Sequence, residues 1–282
     1  MTATGRRPPA RISALISDVD GTLVTKDKVL TPRAREAVAA LGKRGIAFAI
    51  TSARPPRGMI MLAGPLGLTT PMAGFNGGVI VRPDLSVMEQ HLLSPEVARR
   101  AIDMIVASGA QPWVFNAEQW MLRNPDAPYV DHEIHTLGFP PTVVADFAAY
   151  PDDIAKIVGV SQDFDLLARG EADLRRALGA GAFVARSQRY YLDVTHPDAN
   201  KGAVVRTFSR LLKVPLAEIA VIGDGANDVA MFAEGALSIA MGNASPDVQA
   251  KADLVTDSNE NDGFAKAIER YLLGVPAGRV TP

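Results

Sequence analysis

The chain has 282 residues, 48% of them hydrophobic, with 29 basic and 31 acidic side chains and a formal net charge of -2. That near balance excludes a nucleic-acid or membrane partner drawn by bulk charge, and the absence of cysteine excludes disulfides, thiol nucleophiles and cysteine-ligated zinc. The length suits one large domain or a core domain carrying an insertion.

Residues 1–11 hold three arginines and two prolines and read as a disordered arm. The apolar stretch that follows is interrupted by Ser13, Ser17 and Asp18, too short and broken for a secretory segment. No run approaches the roughly 18 apolar residues of a membrane span, so a cytoplasmic protein is expected. Ile12, Ala14, Leu15 and Ile16 form a near-continuous apolar strand of the kind covered on both faces. It runs into Asp18-Val19-Asp20-Gly21-Thr22-Leu23, which sets two carboxylates one residue apart at the carboxyl end of a strand. Open α/β sheets place their ligands there. Asp-x-Asp-Gly also opens calcium loops, but the acidic residues that would complete one are missing after Gly21.

Thr31 supplies an N-cap and Pro32 a first helical position. Ala34, Val38 and Leu41 share a helical face, and Gly45 stops the helix. Ile46–Ile50 is a second apolar strand, ending at Thr51-Ser52, so the segment is a βαβ unit with parallel strands. From about Ser86 to Tyr191 the pattern changes to short runs such as Trp113-Val114-Phe115 and Gln119-Trp120-Met121-Leu122, with helices over Pro95–Ser108 and Phe164–Leu178. Both tryptophans lie here. The last third returns to the first design. A helix starting at Asp198 or Asn200 carries Val204, Val205, Phe208 and Leu212, and strand Ile219–Ile222 ends in Gly223-Asp224-Gly225-Ala226-Asn227-Asp228. Strand Leu237–Ala240 and a helix with Phe264, Ala267, Ile268 and Leu272 follow. The expected fold is therefore α/β: a Rossmann-like parallel-sheet core over 12–85 and 192–282, with an inserted α+β domain over 86–191.

Taken in order, Asp18-Val19-Asp20-Gly21-Thr22, Ser52 after an apolar strand, Lys201-Gly202 and Gly223-Asp224-Gly225-x-Asn227-Asp228 resemble the haloacid dehalogenase-like phosphohydrolases. The position of the insertion resembles the Cof-type subfamily with a C2B cap, and Gly74-Phe75-Asn76-Gly77-Gly78 is similar to the Asn-Gly loop of these proteins. The resemblance implies a phosphatase that forms an aspartyl-phosphate. Asp18 is the implied nucleophile, Asp20 the acid and base with a pKa above that of a free carboxyl, and Lys201 the cation against the phosphoryl group and Asp18. It further implies Mg²⁺ held by Asp18, the Asp20 carbonyl and Asp224. Phosphate contacts fall to Ser52, Asn76 and Asn227, helped by backbone N–H groups near Asn76 and Gly77, and Asp228 has a supporting role. In Thr51-Ser52-Ala53-Arg54, a shift of one position would make Thr51 the phosphate-binding hydroxyl instead of Ser52.

The expected substrate is a small phosphorylated metabolite such as a sugar phosphate. A phosphosugar mutase uses the same aspartyl-phosphate, and a silent binding protein could keep the fold; the product distinguishes them. In the insertion, Trp113, Asn116, Trp120, Arg123, Asp126, His132 and Arg189 are candidates for the substrate side, with core packing the competing role for the tryptophans. Asp131, His132, Glu133 and His135 suggest either a metal cluster or a solvated polar loop, and His196-Pro197-Asp198 a return linker.

Overall fold

The computed structural model describes residues 9–147 and 153–274, so most of the expected N-terminal arm lies outside the described residues. The first strand, β1 (Ala14–Asp18), is buried along its whole length. Leu15 packs on one side of it, and Ala14 and Ile16 on the other. Coverage on both faces is what its uninterrupted apolar sequence requires. Helix α1 (Pro32–Lys43) starts as its sequence dictates, with Thr31 Oγ1 accepting from the Ala34 N–H at 3.1 Å and Ala34, Ala37, Val38 and Leu41 buried. The chain continues through β2 (Ala47–Thr51), α2 (Ile60–Leu66), β3 (Met72–Gly74), β4 (Val79–Val81) and β5 (Val87–Gln90).

A second sheet is then built from β6 (Gln111–Phe115), β7 (Trp120–Leu122), β8 (Thr142–Val143), β9 (Lys156–Val160), β10 (Phe183–Gln188) and β11 (Tyr191–Thr195), ordered β10-β11-β9-β6-β7-β8. Helices α3 (Pro95–Ser108), α4 (Val130–Leu137) and α5 (Phe164–Leu178) accompany it. Ser94 and Asp163 cap α3 and α5 with their side-chain oxygens. The buried faces of α3 and α5 pack over Val114, Met121, Ile157, Leu192 and Val194, one side of this sheet. Register places Phe115 opposite Lys156, and Asp193 opposite Val158, which is itself opposite Trp113. Because side chains alternate across a strand, Trp113, Phe115, Lys156, Val158, Tyr191 and Asp193 share the other side. That side joins the core of the first sheet, as the 5.9 Å edge contact between the Phe75 and Phe115 rings shows.

After α6 (Lys201–Leu212), strands β12 (Ile219–Gly223), β13 (Leu237–Ala240) and β14 (Leu254–Val255) complete the first sheet, ordered β14-β13-β12-β1-β2-β3-β4-β5. Pairing is parallel from β14 to β3 and antiparallel at β4 and β5.

Two expected boundaries shift. β5 lies beyond the expected start of the insertion at 86 yet pairs with β4 in the first sheet, and Leu192–Thr195 lies beyond its expected end at 191 yet forms the body of β11 in the second. The crossings fall after Gln90 and after Thr195. The segment around His132 is also not a solvated loop: Val130 and Leu137 are buried at helical spacing and it folds as α4.

Candidate active site

β1 and β12 run side by side in parallel, with Ser17 opposite Ile222. Their carboxyl ends therefore deliver Asp18 and the Asp224–Asp228 loop to one place, at the middle of the sheet. α6 starts there as well, capped by Asn200, whose Oδ1 accepts from the Ala203 N–H at 2.9 Å. Gly202 follows Lys201 because a Cβ at that position would come within 3.0 Å of the Ala230 carbonyl oxygen. Close approach of the helix is what buries the Lys201 side chain.

Lys201 Nζ donates to Asp18 Oδ1 and to Asp228 Oδ1, each at 2.5 Å. The other oxygen of Asp228 accepts from the Asp224 and Gly225 N–H groups at 2.9 and 2.8 Å. Asp228 thus spends both oxygens on the ammonium and the loop. Its burial is complete, and charge-assisted hydrogen bonds of this kind are what make a buried carboxylate tolerable. The Lys201 ammonium loses water by burial but is held charged, its pKa raised by Asp18 and Asp228.

Asp18 is 5% exposed. Burial pushes its carboxyl well above the usual range; Lys201 pulls against that, while Asp228 and Asp224 add to the push. Asp224 is pushed up to about 6, first by burial and then by Asp228, against Lys201 and a Thr22 hydroxyl at 3.3 Å. One carboxylate oxygen from each of Asp18, Asp224 and Asp228 lies within 4.8 Å of the others. Since Asp228 is already engaged, Asp18 and Asp224 are the carboxylates left for a cation. Two crowded, destabilised hard-oxygen donors fit Mg²⁺.

Asp20 stands apart from this cluster. Its carboxylate accepts from Arg54 Nε at 2.7 Å and Nη2 at 2.5 Å, and from Lys28 Nζ at 2.7 Å. Burial raises its pKa, but Arg54 and Lys28 outweigh that and hold it below the usual range. The raised pKa expected from the sequence is therefore corrected. Arg54 also donates through Nη1 to the Thr136 carbonyl at 2.8 Å, so it joins the first sheet to α4.

Ser52 is 1% exposed, and its Oγ accepts from the Arg54 N–H at 3.1 Å. Thr51 is paired with Asp18 across β1 and β2, and its hydroxyl is buried without a hydrogen-bond partner. Asn76 and Asn227 meet, Asn227 Nδ2 donating to Asn76 Oδ1 at 3.0 Å. The Asn76 N–H is spent on the Ser52 carbonyl at 2.8 Å, which removes it from the phosphate donors expected at this loop. Phe75 and Asn76 both adopt the left-handed backbone, φ 53° and 57°, a local strain held by that bond and by Phe75 N–H to Arg54 O at 2.9 Å.

Of the insertion residues, Trp113 and Trp120 are buried core, their rings in edge contact at 5.0 Å. Asn116 is a turn residue, Oδ1 accepting from the Glu118 and Gln119 N–H groups at 3.0 and 2.7 Å. Arg123 pairs with Asp146 at 3.3 Å, Arg189 covers the Phe164 ring, and Asp126 and His132 are exposed. Asp131, His132, Glu133 and His135 do not form a ligand set among the described residues. Sequence reasoning missed Lys28 and Asn243; the latter donates through Nδ2 to Asp224 Oδ2 at 3.0 Å and to the Gly21 carbonyl at 2.9 Å. The available signal was the position of Asn243 just beyond a third parallel strand end.

The sequence profile of the haloacid dehalogenase-like hydrolases matches residues 15–268. A 5-amino-6-(5-phospho-D-ribitylamino)uracil phosphatase of Bacillus subtilis is 26% identical over 95% of this chain and 99% of its own. An HMP-PP phosphatase of Cronobacter sakazakii is 29% identical, over 86% of this chain and 88% of its own. The solved structure of a haloacid dehalogenase-like hydrolase from Bacteroides thetaiotaomicron superposes with a TM-score of 0.85 at 27% identity, covering 92% of this chain and 99% of that one. With the profile spanning nearly the whole chain, this protein belongs to the haloacid dehalogenase-like hydrolases.

Proposed function

We propose that the chain hydrolyses a small phosphomonoester through an aspartyl-phosphate on Asp18. The observation that carries this reading is the buried Lys201 ammonium fixed between Asp18 and Asp228 at the ends of neighbouring strands. It aims one carboxylate into the site and keeps a positive charge where phosphoryl charge gathers. Asp18 Oδ attacks phosphorus, the phosphorus–oxygen ester bond breaks, and water then displaces the phosphoryl group from Asp18 to give inorganic phosphate. Asp18, the Asp20 carbonyl and Asp224 would hold Mg²⁺, which neutralises phosphoryl charge when bound.

Ser52, or the unpartnered Thr51 hydroxyl, is the proposed hydroxyl donor to phosphate, with Asn76 and Asn227 beside it. Asp20, ionised beside Arg54, suits removal of a proton from the attacking water. Protonating the leaving oxygen requires Asp20 to take up a proton first, against the pull of Arg54. The second sheet turns Lys156 and Asp193, paired at 2.9 Å, towards the first domain, and leaves Asp193 Oδ1 and the Trp113 and Trp120 indole N–H groups buried without partners. Two relatives named as phosphatases favour a small phosphorylated metabolite.

The test is phosphate release from a panel of phosphorylated metabolites and an aryl phosphate, with Mg²⁺ and with EDTA, for the wild type and Asp18→Asn. Metal-dependent release that the variant lacks is expected. Undiminished release in EDTA would overturn the metal assignment, and an isomerised phosphosugar in place of inorganic phosphate would mark a mutase.

A further inference from the structure

Among the described residues the chain crosses between the two sheets twice, and each crossing begins with a histidine. His91 directly follows β5, its N–H donating to the Gly78 carbonyl at 2.7 Å. His196 directly follows β11; its carbonyl accepts from the Ala199 N–H at 2.9 Å and its Nδ1 from the Asp198 N–H at 3.1 Å. The two half-buried rings stack with centroids 5.4 Å apart and planes 27° from parallel. Asp198 joins them, Oδ2 lying 3.8 Å from His196 Nδ1. One ligating atom from each of the three lies within 4.8 Å of the other two.

We propose that His91, His196 and Asp198 form a site for a zinc-class divalent ion that ties the two crossings together. The donor set decides the class: two imidazoles and a carboxylate suit late first-row ions, whereas the all-oxygen set at Asp18 and Asp224 suits Mg²⁺. A tetrahedral zinc ion with bonds of about 2.1 Å separates its ligand atoms by roughly 3.4 Å. Closing to that from at most 4.8 Å asks for ring rotation and movement of Asp198, whose side chain is 70% exposed and free to swing. The backbones of both histidines are already anchored, so little order is lost on binding. A fourth position stays open to water. Asp198 stands three residues before Lys201 in the turn that Asn200 closes into α6, so the ion would also brace the segment that presents Lys201.

Calorimetric titration of Zn²⁺ into the full chain in excess Mg²⁺ tests this, comparing wild type, His91→Gln, His196→Gln and Asp224→Asn. The zinc step is expected to persist in Asp224→Asn and to weaken by more than about a hundredfold in each histidine variant, beyond what loss of a supporting group causes. Wild-type zinc affinity in both histidine variants overturns the site, as does loss of all zinc binding in Asp224→Asn. Zinc-edge X-ray absorption of the wild type needs no variant: backscattering from two imidazoles is expected, and an oxygen-only shell overturns the proposal.

Discussion

Arg54 grips Asp20 with two parallel bonds, Nε to Oδ2 at 2.7 Å and Nη2 to Oδ1 at 2.5 Å, while its remaining nitrogen holds the Thr136 carbonyl of α4. The carboxyl proposed to move protons is therefore wired to the inserted sheet's own helix. In Arg54→Ala, burial acts on Asp20 against Lys28 alone, so its pKa rises. If Asp20 works as a base, activity is lost as pH falls through that pKa, and the acid limb of kcat/KM moves to higher pH. Turnover should drop by about a hundredfold, the scale of acid–base assistance. A pH–rate profile of the variant checks this; an unmoved acid limb speaks against Asp20 as the titrating group. Lysine at 54 should not rescue, because it cannot make the paired bonds.

Asp18→Asn removes the proposed attacking oxygen but keeps the shape of the side chain. Phosphate release should fall by at least about a thousandfold, as when a covalent nucleophile is lost. Circular dichroism should remain that of the wild type, since Asp228 still pairs with Lys201.

Gly21 sits at φ +77°, and a Cβ there would lie 2.3 Å from Asp224 Oδ2. Gly21→Ala is expected to lose about 1–2 kcal/mol to the left-handed backbone alone. Asp224 must also move aside, so the Mg²⁺ concentration for half-maximal activity should rise more than about tenfold, the scale of disturbing a ligand's supports. Thermal melting and a Mg²⁺ titration read the two effects separately.

Glu133 accepts from the Tyr191 hydroxyl at 3.0 Å, and burial raises its pKa above that of a free glutamate. A carboxyl whose folded pKa is raised favours folding below its unfolded value, and that contribution disappears as pH climbs through the folded pKa. Glu133→Gln has nothing to titrate. Relative to the wild type, the variant should therefore melt at increasingly higher temperature as pH rises to 7 from 4.5, the ordinary value of a free glutamate. Parallel melting curves across that range would show that Glu133 does not titrate with folding.

The strand-end positions of Asp18 and Asp224 are legible because a buried parallel strand announces itself as an apolar run and its carboxyl end follows directly. Lys201 is legible by its order in the chain and by Asn200, an ordinary cap. The arginine grip on Asp20 is not, because Arg54 reaches back over a strand crossing that no local pattern encodes, and Lys28 comes from a loop. Asn243 escapes for the same reason: its bonds to Gly21 and Asp224 exist only once β13 stands beside β12. The inserted domain's first edge is misplaced because Val87–Gln90 is a half-exposed edge strand without apolar alternation. Its membership in the first sheet is set by β4 rather than by its own residues.

The pairing of β1 with β12 has a consequence for the order in which the protein can come into being. Asp18 leaves the ribosome early, but Lys201, Asp224 and Asp228 follow some two hundred residues later, and until then β1 has a neighbour on one side only. A nascent chain that ends within the inserted domain holds the proposed nucleophile without its ammonium or its companion carboxylates. Joining strands so distant in sequence is the slow kind of contact. Capacity for the chemistry is thus acquired in one late event, when the last third of the chain closes the sheet.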